Sequence, residues 1–182
     1  MPAYVMSSQR YTTDGLVAQF LTEDHRRLEA LLQSALHSGG QVDHSVYDQF
    51  RAGLLRHIGM EEKILLPTAQ RLRGGEPLAL AARLRLDHGA IAALLMPTPT
   101  AGLIVTLQKI LDKHNLIEEG PDGLYETCDA LAGAESEQLL ARLRAAPDLS
   151  VLPYADTPAV LGAVRRALER AGYGDLGDTS FL

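Results

Sequence analysis

The chain has 182 residues, enough for one domain with a substantial core and an appendage but too few for two ordinary domains. Hydrophobic residues make up 46% of it and aromatics only 5%, with no Trp, which suits aliphatic packing between helices. The formal net charge of -6 leaves no basic surface for counterion release, so nucleic acid is excluded as an expected partner.

Residues 1–13 are polar and aperiodic and are expected to form an N-terminal arm. The opening Met1-Pro2-Ala3-Tyr4 lacks the basic segment and apolar run of a signal peptide, and no stretch approaches about 18 uninterrupted apolar residues. A cytoplasmic protein without a membrane anchor is expected. Asp14 is positioned to cap a first helix over residues 14–37, ended by Ser38-Gly39-Gly40, with Ala18, Leu21, His25, Leu28 and Leu32 on its apolar stripe. A second helix over residues 43–73 lines up Phe50, Leu54, His57, Glu61 and Leu65, and Pro67 is expected to bend or shorten it. Pro77 opens a third helix that stops before Pro97-Thr98-Pro99 and carries Ala81, Leu84, His88, Ile91 and Leu95 inward. The fourth, over residues 100–119, aligns Leu107, Leu111, His114 and Glu118 until Gly120-Pro121-Asp122-Gly123 breaks it.

Four amphipathic helices joined by short turns predict an all-α fold, an up-down-up-down four-helix bundle over residues 14–133 that includes a short helix at 124–131. Residues 134–182 read as a C-terminal helical extension packed on the bundle. It has short helical patterns at 135–144 and 158–171 around a connector, with Leu161, Val164 and Leu168 facing inward. The single cysteine, Cys128, rules out an intramolecular disulfide and reads as a small packing residue.

Two phrases occur twice, in the same order. Asp24-His25 followed by Leu31-Leu32 returns as Asp87-His88 followed by Leu94-Leu95, and His57-x-x-x-Glu61-Glu62 returns as His114-x-x-x-Glu118-Glu119. Each half thus reads as a helical hairpin offering the same side chains. A histidine and a glutamate four apart project from one helix face, and imidazole with carboxylate suits iron, zinc or manganese. Taken singly, such a histidine is more often a hydrogen-bonded core residue, and such a pair a surface ion pair. The set differs, because four imidazoles and two carboxylates buried in one small core without a cation would cost several kcal/mol per unpaired charge. The other two histidines, His37 and His44, flank the Gly39-Gly40 turn on no apolar face. Glu62 and Glu119 lie about 100° around the helix from the inward carboxylates, so solvent or a supporting role behind the ligands is expected of them. Asp24 and Asp87 either orient neighbouring groups or are solvated, the solvated reading being slightly favoured. Gly53, Gly59 and Gly89 are read as sites of close helix approach, with room for a small ligand as the alternative.

In His25, His57 with Glu61, His88, and His114 with Glu118 the chain resembles the hemerythrin-like, or HHE cation-binding, family, over about residues 14–132. The resemblance implies a four-helix bundle holding two non-haem Fe ions joined by an oxo or hydroxo bridge. His25 and His57 would bind one iron, His88 and His114 the other, and Glu61 and Glu118 would bridge, with Zn or Mn as substitutes. Oxygen-carrying members have a further histidine one turn after the residue matching His88, where this chain has Ala92. That departure argues against a dedicated oxygen carrier and for the branch containing iron-centre repair proteins and iron or oxygen sensors. The Gly120-Pro121-Asp122-Gly123 break is a second departure, after which Tyr125 joins Glu62 and Glu119 as a candidate for contact behind the ligands.

The leading expectation is a protein that senses or binds O2 or NO, or handles labile iron, with no residue assigned a catalytic role and no protein partner specified. A di-iron oxidase or peroxidase, and an interaction module stapled by metal, are the alternatives.

Overall fold

The computed structural model describes residues 15–175, so the expected arm at 1–13 and the expected cap Asp14 lie outside the described residues. Among the described residues the fold is all-helical, with one isolated bridge between Leu36 and Val42. Helix α1, Leu16–Ala35, buries Val17, Leu21, His25, Leu28 and Leu32. Its first turn is capped from a distant part of the chain, since the Asp129 carboxylate accepts from the backbone N–H of Val17 at 3.1 Å and of Ala18 at 2.8 Å. The helix ends slightly before the expected 37, because the bridge at Leu36 draws the chain out of helical conformation.

Helix α2, His44–Met60, is capped by Asp43, which accepts from Val46 N–H at 3.1 Å. It passes through one π turn, Glu61–Leu65, into α3, Leu66–Leu72. Pro67 has no N–H to give the preceding turn, and the widened turn absorbs that missing donor, so helical residues run on to Leu72 and the expected shortening does not occur. Helix α4, Ala81–Leu94, starts later than Pro77 because Leu78 and Ala81 first close a turn. Helix α5, Ala101–Glu119, is capped by Thr100. Asp122, at φ 57°, then turns the chain, and Gly123 lies so close that a Cβ there would meet the Glu118 carbonyl oxygen at 2.6 Å. That reversal starts α6, Leu124–Ala132, followed by α7, Ser136–Arg144, and α8, Pro158–Arg170.

The core has two hydrophobic clusters. One gathers Leu28, Leu32, Phe50, Leu54, Ile91 and Leu107 with α8, and the other gathers Leu21, Met60, Leu84, Leu124, Tyr125 and Leu143. The charged and imidazole side chains lie in chain positions between them. Helix α8 packs on α4, and α7 on α1 and the π turn. Val164 and Leu168 are buried, whereas Leu161 is half-buried. Close helix approach holds at Gly53, where a Cβ would stand 2.8 Å from a Leu28 methyl, but not at Gly59 or Gly89, which have no such neighbour. Burial, and then the nearby Asp129 charge, push the Cys128 thiol up to about 12, so it is an inert packing group. No helix among the described residues is long and apolar enough to cross a membrane.

Replacing Asp129 with Ala should lower stability by roughly 1 kcal/mol, as loss of a helix cap does. The shift in urea midpoint at unchanged slope measures it, and an unchanged midpoint would contradict the cap.

Candidate metal centre

All six residues of the doubled phrases meet in one buried layer. His25, His57, Glu61, His88, His114 and Glu118 are each no more than 5% exposed. They form two groups of four whose ligand atoms lie within 4.8 Å of one another, namely His25, His57, Glu61 and Glu118, and Glu61, His88, His114 and Glu118. The i,i+4 spacing on α2 and α5 sets each histidine beside its glutamate, at 3.3 Å for His57 Nε2 to Glu61 Oε1 and 3.1 Å for His114 Nε2 to Glu118 Oε1. The glutamates belong to both groups. Glu61 offers Oε1 to His57 and Oε2 to His88 at 3.2 Å, and Glu118 offers Oε2 to His25 at 3.4 Å and Oε1 to His114.

Each imidazole turns its other nitrogen onto an outer carboxylate. His57 Nδ1 lies 2.9 Å from Asp24, His25 Nδ1 2.6 Å from Glu119, His88 Nδ1 2.7 Å from Glu62, and His114 Nδ1 3.5 Å from Asp87. Of the two readings of the aspartates, the orienting one holds and the slightly favoured solvated one does not. Asp87 is fully buried, and Asp24 is held against His57 and Arg27. Their signal was present, since each immediately precedes the first histidine of its repeat. What could not be read was that each reaches the histidine of the neighbouring helix and not its own. Glu62 and Glu119 stand behind His88 and His25. Tyr125 goes further inward, with its hydroxyl 2.7 Å from Glu61 Oε1, 3.2 Å from Glu118 Oε2, 3.1 Å from His25 Nε2 and 3.2 Å from His57 Nε2. His37 and His44 are exposed and belong to neither group.

The donor set fits a cation. Glu61 Oε2, Glu118 Oε1 and His88 Nε2 are buried and close to one another without hydrogen-bond geometry, and all three converge on the second group. Buried polar atoms left unpaired cost free energy that a bound ion would recover. Without a cation, protons serve instead. Burial works against charge on His57, but the Glu61 charge and the Asp24 hydrogen bond outweigh it and push the ring up to about 10. Against the same opposition from burial, Glu118 and Asp87 push His114 up to about 9, and hydrogen bonds to Glu118, Glu61 and Glu62 push His88 up to about 11. Glu61 is held well below its ordinary value, because the His57 and His88 partners outweigh its burial. A cleft of about 740 Å³ between α1 and α5 reaches the outer side of this layer at His25 and Glu119.

The family model described as "Hemerythrin HHE cation binding domain" matches residues 16–120, more than half of the chain. No curated protein and no solved structure matches the chain.

The raised histidines dictate a proton balance. Their ion pairs are fully formed below the ordinary histidine value of 6.5 and are lost as pH rises through about 9 to 11. A cation that takes the same nitrogens must displace those protons. Loading with a divalent metal near pH 7 should therefore release protons, and affinity should rise from about pH 6 to pH 9. Calorimetry in buffers of different ionisation heat measures both, and a pH-independent affinity would contradict the balance.

Proposed function

Because the chain belongs to the hemerythrin HHE cation-binding family, we propose that it is a non-haem di-iron protein that binds or senses a small diatomic, O2 or NO, or handles labile iron. One observation carries the reading. Glu61 and Glu118 each turn one oxygen to each group of histidines, the disposition by which a carboxylate joins two ions and offsets their charge. His25 and His57 are the nitrogen donors of one iron, His88 and His114 those of the other. Zinc or manganese can occupy the same donors, and availability selects among them.

The proposed frame is an up-down-up-down bundle of α1, α2, α4 and α5. It is supported by the way the two hydrophobic clusters take opposite halves of successive helices, Leu21 then Leu28 on α1 against Phe50 then Met60 on α2. Bound iron would supply open coordination positions and one-electron chemistry. The chain's own residues hold and orient. Asp24, Glu62 and Glu119 accept from the outward Nδ1–H of His57, His88 and His25, and Asp87 stands 3.5 Å from His114 Nδ1, which leaves the Nε2 lone pairs directed inward. The aliphatic clusters on either side exclude bulk water. The residue one turn after His88 is Ala92, which offers no donor, so the second group has four protein ligands and room for an exogenous one. This is the sequence feature that separates the chain from an oxygen carrier.

A di-iron oxidase or peroxidase is the second reading. The cleft beside His25 favours it, being within the range of about 300–1,000 Å³ that holds small organic molecules. Multiple turnover with peroxide and a reducing substrate would raise this reading, and purely stoichiometric oxidation would lower it.

Anaerobic reconstitution with ferrous iron should load about two irons per chain, and oxygen or NO should then change the visible spectrum. His57→Ala and Glu118→Ala should each lose iron. Asp24→Asn and Glu62→Gln should keep the fold but weaken binding roughly 10- to 100-fold, as loss of an orienting partner does. A wild-type protein that binds no iron would overturn the proposal.

A further inference from the structure

We infer that Tyr125 is an oxygen ligand of the metal held by His25, His57, Glu61 and Glu118, so that the two half-sites of this centre are chemically unequal. The inference rests on the di-iron reading above and is carried by the surroundings of one oxygen atom. Tyr125 is 1% exposed, and its hydroxyl faces four donor atoms at 2.7 to 3.2 Å, namely one oxygen from each bridging glutamate and the Nε2 of two histidines.

A phenol brings a single proton. Its shortest contact, to Glu61 Oε1 at 2.7 Å, uses that proton, and the hydroxyl then meets Glu118 Oε2 with none left to share. The imidazoles do not supply one in their neutral form, because the Nδ1–H of each is directed at an outer carboxylate, Glu119 for His25 and Asp24 for His57. With both imidazoles neutral, five lone-pair donors surround one point, and that is the environment of a cation.

The spacings identify the role of the phenol within it. Around a first-row ion with bonds of about 2.1 Å, neighbouring ligands stand about 3.0 Å from one another, while an atom in the ion's own place would stand about 2.1 Å from each. The Tyr125 oxygen keeps the first spacing from all four neighbours, and two edges of the set, His57 to Glu61 and His25 to Glu118, measure 3.3 and 3.4 Å. It is a fellow vertex.

As the metal–oxygen bond forms, the phenolic proton leaves to solvent and the phenolate offsets one further positive charge. Among the described residues the other half-site has no counterpart. Among the described residues it holds His88, His114 and the same two glutamates. Three of its donor atoms, Glu61 Oε2, Glu118 Oε1 and His88 Nε2, face one another without hydrogen-bond geometry. An exogenous ligand is thereby directed to the His88–His114 ion.

The test compares wild type with Tyr125→Phe, both loaded anaerobically with ferrous iron and then oxidised in air, by metal analysis, visible absorption and resonance Raman. The wild type is expected to show a phenolate-to-iron charge-transfer band with enhanced phenolate vibrations, and Tyr125→Phe to lose both while still holding iron. The wild-type spectrum decides the matter even if the variant folds poorly. Two bound irons with no phenolate signature in the wild type overturn the tyrosine ligand and leave the di-iron reading standing. A wild type that binds no iron overturns both.

Discussion

Four imidazole rings lie in one buried layer, and each is held from behind by a carboxylate carried on a different helix. The pattern closes on itself in chain order. Asp24 of α1 holds His57 of α2, Glu62 beyond α2 holds His88 of α4, Asp87 of α4 stands 3.5 Å behind His114 of α5, and Glu119 of α5 holds His25 of α1. Fixing Nδ1–H outward fixes the Nε2 lone pair inward, so ring orientation, tautomer and the relative position of adjacent helices are one constraint. The outer carboxylates are held ionised by it. Burial opposes this at Asp24, Asp87 and Glu119, but their histidine partners win and keep all three below the usual carboxylate range.

That ring explains why the hydrophobic core comes in two parts. A layer containing four histidines and two glutamates cannot be packed with aliphatic side chains, so the apolar residues of each helix collect on either side of it. The layer is a poor contributor to stability by itself, because ion pairs taken out of water recover little net free energy. The flanking clusters must carry that cost. The C-terminal segment takes part: α8 adds Val164 and Leu168 to one cluster, and Arg83 links Asp87 at 2.8 Å to the Tyr173 hydroxyl at 3.0 Å. The extension thus meets the outer shell of the centre through Asp87, the carboxylate with the longest reach to its histidine.

The six inward residues could be read from the sequence because helical spacing alone decides that His57 and Glu61, or His114 and Glu118, share a face, and because the phrases recur. Helix positions followed from the same periodicity. Contacts between elements were less accessible. The role of Asp24 and Asp87 depends on which helix lies beside them, which no single-helix pattern states. The π turn at Glu61–Leu65 depends on how the chain accommodates Pro67, for which either a bend or a widened turn is sterically adequate. The Asp129 cap on α1 joins residues more than a hundred positions apart.

Tyr125 belongs with these long-range features, and it breaks the symmetry of the repeat. Both hairpins carry the same phrases, so two equivalent half-sites would result if the chain ended at Glu119. It does not end there. The turn at Gly120-Pro121-Asp122-Gly123 sends α6 back across the layer, with Asp122 in the left-handed region and no room for a side chain at Gly123. Only one half-site lies under the returning helix, and the phenol enters that one. The interruption that looked in the sequence like the loss of helical continuity is the structural cause of the inequality between two otherwise duplicate sets of donors.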